Sequence, residues 1–166
     1  MGEALRPAKT NVIRLLEAER IPHQVHLYEV DETVLDAISA ARKVGVEPER
    51  VFKTLVASGG GNVHLVFCLP GVLELDLRKA AVVAGCRKVE LIRPDQLSVL
   101  TGYVRGGCSP LAMKKAFPTF LEETAQLFET ILISAGVRGM QVELSPAALV
   151  SLGLRLLPRM EWAALT

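Results

Sequence analysis

Two stretches of the chain carry residues whose types and spacing could do chemistry. In "VFKTLV" a lysine, Lys53, interrupts an apolar, β-rich run and is followed by Thr54. A cation borne on a strand is rigidly aimed, and its long stem must reach water or an anion. In "GYVRGGCSPLAMKK", residues 102 to 115, the adjacent Gly106 and Gly107 precede Cys108 and the step Ser109-Pro110, with Arg105, Lys114 and Lys115 nearby. The glycines can take positive φ and let a ligand approach the backbone, while Pro110 fixes its own φ and holds Ser109 extended. Successive amides pointing one way in such a turn form a nest for a phosphate, a carboxylate or a polarised carbonyl. Each stretch also has a purely structural reading. Lys53 could be an edge-strand lysine that opposes aggregation, and the turn could be a loop with a solvated lysine pair.

Other chemistries find less support. Cys68, Cys86 and Cys108 are odd in number and far apart, with no C-x-x-C pair, and His23, His26 and His64 are equally scattered. Neither a disulfide framework nor a metal site is expected, and no cofactor motif occurs. There is no G-x-S-x-G elbow, and the histidines show no evident carboxylate partner, so a Ser-His-Asp or Cys-His set cannot be identified. Cys108, beside glycines, could be the low-pKa nucleophile of a thiol hydrolase, but an ordinary small apolar residue in a turn is the better reading.

The elements that must position these residues follow from the rest of the sequence. The chain has 166 residues, 50% of them hydrophobic, with a net charge of +1. That fits one domain, residues 1–166, able to bury a core, and it argues against a protein that coats nucleic acid by bulk electrostatics. DNA binding and membrane insertion are not expected: no apolar run is long enough to span a bilayer, and "MGEALRPAKT" lacks a signal-peptide core. The chain is read as cytoplasmic. Thr10 or Asn11 can cap a helix carrying Val12, Ile13, Leu15 and Leu16, after which "QVHLYEV" alternates like a half-buried strand. A helix is predicted over "TVLDAISAARKVG". The runs "RVFKTLVAS" and "NVHLVFCLP", joined by "GGG", predict a hairpin. Asp76 opens a helix over "LRKAAVVAG", "RKVELI" reads as a strand and "PDQLSVLTG" as a short helix. "ETILISAG" and "GMQVELS" form a second strand pair, Ser145-Pro146 starts a helix, and "LRLLPRM" reads as an edge strand. Strands with short helices between them place the fold in the α+β class, or α/β with a mixed sheet.

The ordered set "VFKTLV", "ELDLRKAA", "TGYVRGGCSPL", "KK", "ILISAGVRG" and "VELSPAAL" resembles the YbaK family, bacterial Cys-tRNA(Pro) deacylases related to the editing domain inserted in prolyl-tRNA synthetases. The resemblance runs over residues 11–152. It implies a mixed, barrel-like β-sheet surrounded by helices, and a trans-acting editing hydrolase that deacylates mischarged Cys-tRNA(Pro) or Cys-tRNA(Cys). The substrate's own thiol would assist ester cleavage, with no metal and no cofactor. It places catalytic roles on Lys53, Gly106 and Gly107, and substrate contacts on Tyr28, Thr54, Ser109, Pro110, Ser134, Gly136 and Gln141. Arg105, Lys114, Lys115 and Arg138 would meet tRNA phosphates, and prolyl-tRNA synthetase is the candidate partner for choosing the tRNA. Cys108 stands where an aliphatic residue is usual in this family, and Gln141 where some members carry an acid. The alternatives left open are an editing enzyme for Ala, Ser or Thr, and a non-catalytic module that grips a tRNA acceptor end or a synthetase.

Overall fold

The computed structural model describes residues 9–31 and 33–157. Its helices are α1 (Asn11–Ala18), α2 (Ala37–Val44), α3 (Leu77–Ala84), α4 (Leu97–Thr101) and α5 (Pro146–Ser151). Its strands are β1 (Gln24–Leu27), β2 (Phe52–Gly60), β3 (Val63–Pro70), β4 (Glu90–Leu91), β5 (Thr119–Glu122), β6 (Ile131–Ser134), β7 (Met140–Leu144) and β8 (Arg155–Leu157). Most boundaries are set by the residues that announce them. Thr10 Oγ1 accepts from the Ile13 amide, Asp76 from those of Arg78 and Lys79, and Ser145 from that of Ala148. Gly45, Gly85 and Gly102 end their helices in the left-handed region.

The strands form two sheets. One is antiparallel, in the order β1-β7-β6; the other runs β4-β2-β3-β5-β8, with β3, β5 and β8 mutually parallel. A parallel bridge between Val51 and Leu132 links the sheets. The fold is therefore mixed α+β as expected, but the strands do not close into a barrel. A core of α1, β6, β7, Tyr103, Leu121 and Leu149 fills one region, and α3 packs Ala80 and Ala81 over Phe67, Leu69 and Phe120 in another. A smaller contact seats Ala41 of α2 on Val51 and Leu132, at the junction of the two sheets.

The predicted hairpin, β2 with β3, pairs in register from Phe52 with Pro70 to Ser58 with His64. Four segments differ from expectation. β1 stops at Leu27, inside the predicted "QVHLYEV", and is mostly exposed rather than alternating. α2 starts at Ala37, four residues into its predicted span, because the Asp36 carboxylate accepts from the Ser39 amide at 2.7 Å and holds Asp36 extended as a cap. The strand predicted over "RKVELI" contracts to two residues, paired only with Ala57 and Ser58 of β2. β5 was not predicted; it is enclosed by β3 and β8, so the short "TFLE" shows no alternation between wet and dry faces. β8 is the expected edge strand as far as Leu157, and the remainder of "LRLLPRM", like the opening residues Met1–Ala8, lies outside the described residues. Among the described residues no helix is long and apolar enough to cross a membrane.

Candidate active site

β2 is covered by β3 along one side, but on the other β4 reaches only Ala57 and Ser58. Beside the uncovered residues lies a cleft of about 280 Å³, walled by β2 (Phe52, Lys53, Thr54, Leu55), the start of α2 (Leu35, Asp36, Ala37, Ala40), Tyr28, Gly71, Arg105, Gly106, Cys108, Ser134 and Gln141. An open strand edge gives access to both of its faces, which is how the neighbours Lys53 and Thr54 can line one hollow.

Lys53 belongs to the second strand of its sheet rather than to the outermost one. Its Nζ donates to the Leu73 carbonyl and, at 3.4 Å, to that of Gly71. An ammonium has three N–H donors, so one is left for a ligand. Partial burial lowers its pKa from the usual lysine range, opposed by the Glu74 carboxylate. Gly71 makes this geometry possible: a Cβ there would lie 2.3 Å from the Ala37 Cβ, so only glycine lets α2 pack onto the loop that Lys53 grips.

A further wall comes from the three-stranded sheet, which meets the chain just before β2 at the Val51–Leu132 bridge. Ser134 pairs with Gln141, and Gln141 with His26, so all three face one side, and Tyr28 continues the ladder by donating its amide to the Gly139 carbonyl at 3.0 Å. Ser134 Oγ accepts from the Gly136 amide at 3.1 Å. Gln141 is 6% exposed, and its Oε1 is buried without a hydrogen-bond partner, whereas the Thr54 hydroxyl, also in the lining, faces the Cys68 thiol. Thr54 stands opposite Cys68 in the hairpin; the Cys68 thiol is pushed up to about 12 by burial, an effect partly offset by the Thr54 hydroxyl. Burial likewise pushes the Cys108 thiol up to about 12, which makes it a poor nucleophile at neutral pH.

The glycine-rich turn is held from within. Tyr103 is 8% exposed, and its hydroxyl donates to the carbonyls of Leu111 and, at 3.2 Å, Ala112. Gly106, at φ +84°, lines the cleft. The Gly107 amide donates to the Val104 carbonyl at 2.9 Å, and a Cβ on Gly107 would lie 3.1 Å from the backbone of Val137 and Arg138. Ser109 is fully buried with its Oγ accepting from the Leu111 amide, and Pro110 shares a separate hollow with Lys115. Gly136, at φ +100°, makes room for the Tyr103 ring. Arg138 donates its Nε to the Arg105 carbonyl at 2.7 Å and lines a smaller hollow adjoining the cleft, whereas Lys114 and Lys115 are exposed elsewhere on the turn. Of the sequence-predicted residues, the cleft thus gathers Tyr28, Lys53, Thr54, Arg105, Gly106, Ser134 and Gln141. Gly107, Ser109, Pro110 and Gly136 are not part of its lining.

Sequence reasoning missed two features. The first is Asp36, whose carboxylate is held below its usual pKa chiefly by the Ser39 amide; the cap spacing Asp36-x-x-Ser39 was the available signal. The second is a polar cluster on the cleft-facing side of the small sheet. Glu143 Oε1 meets His26 Nε2 at 2.8 Å, while Oε2 accepts from Arg50 at 3.1 Å and from the Thr130 hydroxyl. These bonds, the Thr130 hydroxyl foremost, hold the Glu143 carboxyl below its usual pKa. The cluster ties β1, which leads into Tyr28, and β7, which carries Gln141, to Arg50, three residues before Lys53.

With this geometry in view, the likeness to known proteins is informative. Residues 31–152 match the model of the aminoacyl-tRNA editing domain. A protein of Enterococcus faecalis, provisionally named Cys-tRNA(Pro)/Cys-tRNA(Cys) deacylase EbsC, is 46% identical over 152 residues, 92% of this chain and 93% of its own. Among solved structures, one described as a candidate trans-editing enzyme for prolyl tRNA synthetase superposes with a TM-score of 0.77 at 25% identity, over 92% of this chain and 96% of its own. The hypothetical protein APE2540 shares the fold, with a TM-score of 0.81 at 22% identity over 89% and 97% of the two chains. The chain belongs to the aminoacyl-tRNA editing domain family.

Proposed function

We propose that this protein is a trans-acting, cytoplasmic deacylase that removes cysteine from mischarged Cys-tRNA(Pro), or from Cys-tRNA(Cys), and that its cleft holds the aminoacyl end of the tRNA. The observation that carries this reading is a cleft with a fixed, partly buried lysine, a buried and unpaired Gln141 oxygen in its lining, and a Cys108 thiol held near pKa 12. Among the described residues no histidine lines it. An aminoacyl ester is already activated, so a site that orients the ester and stabilises developing negative charge is sufficient if the substrate brings its own nucleophile.

In this mechanism the cysteine thiol gives up its proton and its sulfur attacks the ester carbonyl carbon. The bond to the ribose oxygen breaks, that oxygen takes a proton, and cysteine leaves as a small cyclic thioester that water opens. The free N–H of Lys53 would hold the ester or the terminal phosphate, Gly106 would let the substrate approach the turn closely, and Tyr28 would pack on the amino acid or terminal adenosine. Thr54, Ser134 and Gln141 would contact the amino acid. Gly107, Ser109, Pro110 and Gly136 would shape the turn and its support. Arg105 and Arg138, at and beside the cleft, and Lys114 and Lys115 on the same turn would meet tRNA phosphates, with tRNA choice delegated to prolyl-tRNA synthetase.

Release of labelled amino acid from Cys-, Ala- and Pro-tRNA(Pro) tests the reading. Cysteine is expected to be released rapidly and alone, and Lys53→Ala is expected to abolish turnover while the protein stays folded. Release of alanine would keep the site and reject the substrate thiol as nucleophile. Binding of tRNA without cleavage of any ester would leave only a binding module.

A further inference from the structure

We propose that Gln141 recognises the free α-ammonium group of the aminoacyl ester, so that the cleft accepts aminoacyl-tRNA and rejects esters whose amino group is acylated, such as peptidyl-tRNA. The inference rests on the deacylase reading and names the part of the substrate that one wall is built to hold.

Gln141 is 6% exposed, on the central strand of the small sheet, and lines the cleft beside Ser134 and Tyr28. Its Oε1 is buried and unpaired. A buried carbonyl oxygen can only accept, and leaving it empty is costly, so the site calls for a donor supplied by the ligand. An aminoacyl ester of cysteine has three kinds of donor: the ribose hydroxyl, the thiol and the α-ammonium. The ribose hydroxyl belongs to the phosphate end, which the cations Lys53 and Arg105 attract. The thiol is a weak donor, and in the proposed reaction its sulfur must reach the carbonyl carbon. The ammonium remains, with three N–H groups and a charge that strengthens each bond it makes.

The charges around the cleft agree with that orientation. Lys53 stands on the wall formed by β2 and turns its Nζ toward Gly71 and Leu73, whereas Gln141, Ser134 and Tyr28 form the wall from the small sheet, which brings no cation of its own to the lining. Among the described residues the lining includes a single carboxylate, Asp36, kept ionised by the Ser39 amide. Acylation would remove the charge, reduce three donors to one and add bulk beside a buried polar atom of the wall.

The test compares kcat/KM for Cys-tRNA(Pro) and N-acetyl-Cys-tRNA(Pro) with the wild type, Gln141→Leu and Gln141→Glu, each shown to be folded by its melting curve. The wild type is expected to prefer the free amine by ~100-fold, because a site with a buried polar group rejects a ligand that leaves it unpaired. Gln141→Leu should lose about tenfold on the free amine and little on the acetylated ester, shrinking the preference, while Gln141→Glu should keep or enlarge it. A wild-type preference within about threefold overturns the proposal. So does a large preference that Gln141→Leu leaves unchanged, since exclusion by bulk alone would then explain it. Cleavage of neither ester by the wild type would overturn the deacylase reading itself, and this proposal with it.

Discussion

Removing the Glu143 carboxylate should cost stability in a manner that depends on pH. Glu143 accepts from Thr130 and Arg50 and meets His26, with its side chain 18% exposed and those of His26 and Arg50 22% and 23%. Hydrogen bonds to charged groups contribute ~1.5–3 kcal/mol each when buried, and partial exposure reduces that. In Glu143→Ala, Arg50 keeps two bonds to Thr130, at 3.2 Å to its carbonyl and 2.7 Å to its hydroxyl, so the cation is not stranded and the cost falls at the low end. We expect a loss of about 2–3 kcal/mol at pH 7, seen as a lower urea midpoint with an unchanged slope. At ~2–4 °C per kcal/mol for a chain of this size, the melting temperature should fall by roughly 5–10 °C. Because the folded carboxyl lies below its ordinary 4.5, its stabilisation is fully present above that value and disappears as pH falls through the folded pKa. The gap between wild type and variant should therefore close in acid. A gap under ~0.5 kcal/mol at pH 7, typical of an exposed ion pair, or one that stays constant to below the folded pKa, would refute the cluster as a support of the cleft.

Three other positions give simpler tests. Gly71→Ala would set a Cβ 2.3 Å from that of Ala37, forcing α2 off the loop at a cost of ~1–3 kcal/mol, and deacylation should fall with the displacement of the Lys53 contacts; an unchanged melting curve would contradict this. Tyr103→Phe removes a buried hydroxyl that donates to two carbonyls of the turn and should cost about 1–2 kcal/mol by urea denaturation. For Cys108, a pKa near 12 leaves a thiolate fraction at pH 8 about a thousandfold below that of free cysteine, so iodoacetamide followed by mass spectrometry of its peptide should show correspondingly slow alkylation. Fast labelling there would revive the thiol-hydrolase reading.

Much of the architecture is legible because local signals agree with it. The hairpin that carries Lys53 is marked by two β-rich runs around "GGG", and the caps at Thr10, Asp76 and Ser145 stand where their residue types indicate. What is not legible depends on distance along the chain or on burial from both sides. Asp36 falls inside a run with helical periodicity, so its role as cap and cleft residue emerges only when its carboxylate takes the Ser39 amide. His26 and Glu143 are 117 residues apart, and no spacing rule joins them. In "GGCSP", Gly106 and Cys108 face the cleft while Gly107 and Ser109 serve packing and the internal bonds of the turn, a division of labour that composition cannot resolve.

Lys53 shows why position on the strand matters more than residue type. A lysine at the outermost strand would send its ammonium into water, where it opposes sheet-to-sheet pairing and orders nothing. Here the sheet continues past β2, yet β4 stops short of Lys53, so the side chain emerges into a gap that α2 and the loop at Gly71 partly close. Burial lowers its pKa, and the carbonyls of Gly71 and Leu73 fix its Nζ through two of its three donors. The same two bonds that aim the remaining donor also hold the loop against α2. Replacement by alanine therefore removes a ligand contact and loosens a wall together, whereas Lys53→Met keeps the packing of the stem and removes only the charge and the donors. Comparing melting curves and deacylation rates for the two variants separates the roles: equal loss of activity with stability lost in Lys53→Ala alone assigns the charge to the substrate and the stem to the wall.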